Sequence, residues 1–120
     1  MTNKELRQII ADAEAIEAQV IAGIDNMNGD ELSRLYVKLA GYYSAVCGFH
    51  EGIKSDYITM WNTIRPHYKS DKSCNMYLLH SNESAKLYDI LKYRLKGFDK
   101  LLNAISSRLF ELNQQAKNQT

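Results

Sequence analysis

Proline is all but missing: the 120-residue chain has one, Pro66. Proline removes a backbone donor and clashes with the preceding turn, so a single copy leaves one place where it forces a helix to stop. Cysteine is scarce too, with only Cys47 and Cys74. A chain of this length builds a core without a staple, and reduced thiols in a cytoplasm are expected rather than a disulfide. No apolar run approaches the roughly 20 residues needed to span a bilayer, and the opening Met1-Thr2-Asn3-Lys4-Glu5 lacks the apolar centre of a signal peptide. No membrane partner is expected, and the protein should stay in the cytoplasm where it is made.

Catalytic signatures are absent as well. The chain has no phosphate-cradling glycine loop, nucleophile elbow, HExxH or paired CxxC. Glu51 and Asp56 fall outside the main apolar face of their helix and have no evident acid-base partner, so solvated roles suit them better. Cys47-x2-His50 and Cys74-x5-His80 offer the residue types of a zinc site, but the spacing around Cys74 is not that of one. His50 reads instead as a partly buried histidine hydrogen-bonded within an aromatic face, and Cys47 as a small packing residue. These readings point to no enzyme, no cofactor and no metal.

What is present is the balance of a folded domain, with 45% hydrophobic and 24% charged residues. The length suits one core and is too short for two, so a single domain over residues 1–120 is expected. The net charge of +1 hides an asymmetry. Residues 1–31 hold two basic and seven acidic side chains, a balance of −5, whereas the other 89 residues hold 13 basic and seven acidic, +6. An acidic first helix can dock on its own basic body, or the two signs can face different partners.

Helix boundaries are marked by chemistry. Thr2 with Glu5 is a capping box, and Leu6, Ile9, Ile10, Ala13, Ile16, Val20 and Ile24 follow at three- and four-residue steps. A helix over residues 3–26 should stop at Asn28-Gly29, where glycine relieves a left-handed turn. Asn28 or Gly29 can cap the next helix, over residues 30–65, which Pro66 ends; the short connection forces a helical hairpin. That helix carries Leu32, Leu35, Tyr36, Leu39, Tyr43, Val46, His50, Ile53, Tyr57, Met60, Trp61 and Ile64 on one broad face. Ser70 to Asn75 read as loop and Met76 to Leu79 as a short helical turn. Ser81 or Asn82 can cap a third long helix, over 82–113, with a polar tail that frays. In it Leu91, Phe98, Ile105 and Leu112 recur by seven, as do Tyr88, Leu95, Leu102 and Leu109. Interleaved heptads describe a helix packed lengthwise. The fold class is therefore all-α: an elongated antiparallel bundle of three long helices, coiled-coil-like, with a helical turn between the second and third.

The second helix has an unusual reverse side. Gly41, Ala45, Gly48, Gly52 and Ser55 form one stripe roughly opposite the apolar face, and Arg34 and Lys38 extend it toward the N-terminus. Each interior glycine costs about 1 kcal/mol relative to alanine. A solvated face has no reason to carry three, so either the first helix lies there or another chain does. The two cations could then meet acidic groups of that chain, or Glu14 and Glu17 of the first helix. This stripe is the expected partner interface, with a protein partner and homo-oligomerisation as the leading reading.

A second constellation supports an alternative. Arg65, His67, Tyr68, Lys69 and Lys72 gather cations around an aromatic ring, and Lys92 and Lys96 continue as a row. Cations neutralise phosphates and aromatic faces stack on unpaired bases, which is the chemistry of a nucleic-acid or nucleotide binder. Asp89 and Asp99 beside the row fit a salt-laced solvated surface instead.

In size, helix content and lack of catalytic motifs the chain resembles the compact all-helical accessory proteins of bacteriophages and other mobile elements, including inhibitors of host defence. The resemblance implies a protein that acts by binding and carries over no individual residue.

Overall fold

The computed structural model describes residues 2–118. The architecture is all-α, with four helices and no strand among the described residues: α1 Asn3–Gly23, α2 Gly29–Ile64, α3 Asp71–Ser81 and α4 Glu83–Asn118. Short 3-10 turns, Ile24–Asn26 and Arg65–His67, follow α1 and α2. No helix among the described residues is long and apolar enough to cross a membrane.

Each long helix starts where a side chain can satisfy free backbone donors. Thr2 Oγ1 accepts from the Glu5 amide at 3.1 Å, Asn28 Oδ1 from the Glu31 amide at 2.8 Å, and Asn82 Oδ1 from the Ala85 amide at 3.0 Å. Asparagine thus caps both 36-residue helices. The expected left-handed glycine at the end of the first helix is not found: no described glycine has positive φ, and Gly29 is the first residue of α2. The α-helix stops at Gly23 and its last turn tightens into the 3-10 turn.

Two further expectations are corrected. Residues 70–75 are not a loop before a helical turn, because Ser70 begins an 11-residue helix. Ser73 Nα–H donates to Ser70 Oγ at 3.1 Å and Ser70 Nα–H donates to Ser73 Oγ at 3.3 Å, a capping box with serine in the place usually held by glutamate. The tail from Asn113 is also helical, through Asn118.

The chain forms two compact units. The first unites the described residues up to 45 with those from 96 onward. Its interior holds Leu6, Ala13, Ile16 and Val20 of α1, Leu32 and Leu39 of α2, and Phe98, Leu101 and Ile105 of α4. Arg108 ties α4 to the 3-10 turn after α1, donating from Nη2 to the Asp25 carbonyl at 3.2 Å, and also donates from Nη1 to Glu111 within α4 at 2.9 Å.

The second unit spans residues 46–95. Cys74 and Leu78 of α3 and Ala85 of α4 form its centre, with Tyr57, Met60, Trp61, Ile64 and Tyr68 against them. In the α4 part of this unit Leu91 is buried and Tyr88 and Leu95 are half-buried; in the α4 part of the first unit Phe98 and Ile105 are buried, whereas Leu102, Leu109 and Leu112 are half-buried.

Candidate functional site

The outward side of α2 is open. Arg34, Lys38, Gly41, Gly48, Gly52 and Ser55 are exposed and Ala45 is half-buried. A Cβ built on Gly41, Gly48 or Gly52 would meet nothing within 4 Å, so no neighbouring group demands glycine there. In the first unit, α1 lies on a different side of α2: the Tyr42 hydroxyl reaches Asp12 at 3.5 Å, and Tyr42 is about 100° around the helix from Gly41. In this unit, cover by the first helix is thus not what Gly41 serves. Val37 sits on the same outward side between Arg34 and Gly41 and is 72% exposed.

At the N-terminal end of this face the hairpin opens into a groove of about 1030 Å³. Ala22, Met27 and Leu35 give it apolar walls, and Glu31, Arg34 and Lys38 give it charge. Arg34 donates from Nε to the Asp30 carbonyl at 3.4 Å. Neither Arg34 nor Lys38 forms an ion pair among the described residues, so Glu14 and Glu17 do not neutralise them.

The basic and aromatic residues after α2 are only partly available. The Arg65 guanidinium pairs with Asp71 and donates to the Tyr68 carbonyl at 2.7 Å, which makes it the clasp between the 3-10 turn and α3. Tyr68 tilts against Tyr77 with ring centroids 5.3 Å apart and packs on the Cys74–Leu78–Ala85 cluster. Neither is a free contact for phosphate or base. His67, Lys69, Lys72, Lys92 and Lys96 are exposed. Lys72 lines a cleft of about 420 Å³ with Tyr57, Ile58, Trp61, Asn75 and the carboxylate of Asp71. Tyr57 and Trp61 were not among the residues expected at such a site, although their i, i+4 spacing puts both rings on one side of α2.

Deeper in the second unit Tyr88 is sandwiched between His50, at 4.6 Å and 17°, and Tyr57, at 4.4 Å and 9°. The expected hydrogen bond of His50 is not formed. Its Nε2 is buried without a partner among the described residues, and the ring is held by stacking. Burial pushes the His50 pKa below its ordinary 6.5; Glu51 opposes the shift, while Lys54 and Lys92 add to it. Burial likewise raises the Tyr57 hydroxyl, helped by Tyr88. Cys74 is buried in the core and Cys47 is half-buried. No group of three or more His, Cys, Asp or Glu side chains suited to a metal occurs among the described residues. Glu51 and Asp56 are exposed on α2.

Comparison with known protein families, with curated proteins and with solved structures returns no match.

Proposed function

We propose that this is a non-enzymatic helical interaction protein that works by binding another macromolecule along the outward face of α2, over Arg34, Lys38, Gly41, Ala45, Gly48, Gly52 and Ser55. The observation that carries this reading is the open space over Gly41, Gly48 and Gly52. Each forgoes about 1 kcal/mol of helix stability without an internal neighbour that requires it, and a close helix crossing is the use that small residues serve. Small-residue crossings are best known in membranes, where they let backbones approach; the same steric logic holds in water. The exposed Val37 and the cations at one end give the face an apolar anchor and charge. The layout shared with accessory proteins of phages and mobile elements, inhibitors of host defence among them, agrees with action by binding.

Leucine at Gly48 and Gly52 tests the reading. The protein should remain folded, because both side chains enter open space, while a partner isolated with the native protein should bind the purified variant at least tenfold more weakly. Unchanged affinity for the variant would remove the proposal.

A second reading is favoured by the cleft at Trp61 and Lys72, where the indole and the cation suit an unpaired base and its phosphate, while the lining Asp71 is paired with Arg65 and Tyr57 stacks on Tyr88. Trp61 is the sole tryptophan. Its fluorescence should be quenched by single-stranded oligonucleotides at low salt and recover as salt rises. A flat titration at low salt counts against nucleic acid.

A further inference from the structure

We infer that the groove at the α1–α2 hairpin docks a second copy of this chain, with the N-terminal parts of the two α2 helices antiparallel. The inference rests on the reading of α2 as an interface and assigns one end of that face to self-association. The groove is the larger concavity described above, and its charge order selects the occupant.

Glu31 and Lys38 both line it. They are seven residues apart, two helical turns or about 10 Å along the axis, too far to pair with each other. No ion pair engages Glu31, Arg34 or Lys38 among the described residues. A two-fold axis crossing α2 between Arg34 and Leu35 places Glu31 of one copy opposite Lys38 of the other, and the reverse pair follows by symmetry. Arg34, one turn inside Lys38, can reach the same carboxylate. A uniformly acidic partner helix would satisfy both cations but set like charge against Glu31, and a uniformly basic one would do the opposite. A surface with this charge order reversed satisfies all of them, and a second copy supplies it.

The apolar part of the surface agrees. Leu35 lies beside the axis, and Val37, which also lines the groove, is 72% exposed. An exposed valine beside a half-buried leucine and the apolar Ala22 and Met27 gives the groove the apolar patch that an association surface carries.

Charge complementation in the full-length chain tests the proposal. Sedimentation equilibrium at low salt should give a dimer for the native protein. E31K sets lysine against lysine and K38E sets glutamate against glutamate, so each variant alone should associate about tenfold more weakly or worse. Mixed in equal amounts, the two should form heterodimers in which both opposite-charge pairs return, seen as a mixed mass by native mass spectrometry. Circular dichroism checks that each variant stays helical. A native protein that is monomeric up to millimolar concentration would overturn the proposal, as would variants that associate like the native chain, or a folded mixture that stays monomeric. None of these results bears on leucine at Gly48 and Gly52, so failure here is distinguishable from failure of the partner-binding reading.

Discussion

At Gly48 and Gly52 the backbone is helical and a methyl group has room, so alanine should be accepted at both positions. Each Gly→Ala change should raise stability by about 1 kcal/mol, from helix propensity and a less flexible unfolded chain. Urea unfolding measures this, and a loss of stability would reveal a neighbour pressed against the glycine. His50 gives a second residue-scale prediction. Its folded pKa lies below the 6.5 of the unfolded chain, so the unfolded state takes up the proton first. Its contribution to stability is fully present above pH 6.5 and is lost as pH falls through the lowered value. His50→Phe keeps a ring beside Tyr88 and removes the proton, and the urea midpoint of that variant should fall less steeply with acidification below about pH 6.5. A variant with the same pH profile as the native chain would deny His50 that role. Spacing alone located both features. It revealed neither the open space over the glycines nor the missing hydrogen bond of His50, because those depend on where other helices run.

Among the elements, α3 is the one that the pattern of residues concealed. Its short amphipathic repeat buries Cys74 and Leu78, and polar Ser70-Asp71-Lys72-Ser73 at its start has the composition of a loop. The serine pair that caps it resembles a turn signal because serine serves both purposes. The long helices were legible because apolar residues recur over many turns and Asn28, Pro66 and Asn82 mark their ends. The candidate site divides in the same way: the glycine stripe could be read along one helix, whereas the cleft at Tyr57, Trp61 and Lys72 joins α2 to α3 and depends on the element that was missed. Asn82→Ala should cost about 1 kcal/mol by leaving the Ala85 amide without its acceptor. Leu78→Ala, which empties a site 1% exposed, should cost about 2–5 kcal/mol. Thermal or urea unfolding measures both, and a loss under 1 kcal/mol at Leu78 would mean that α3 is not held as described.

For the molecule as a whole, the account gives one side of α2 to the interior and the other to association. Leu32, Leu39 and Val46 are wholly buried, while Gly41, Gly48 and Gly52 face open space on the same helix. Under the proposed reading α2 both frames the fold and binds the partner, with the charged hairpin groove at one end. The most direct measurement is photo-crosslinking in the producing cell. A photoreactive residue is placed in turn at Gly41, Gly48, Gly52 and, as a control, at Asn103, which is exposed on α4. The account predicts a discrete adduct with another macromolecule from the three α2 positions, lost when a neighbouring glycine is made leucine, and none from position 103. Equal labelling at all four positions, or adducts from position 103 alone, would contradict it.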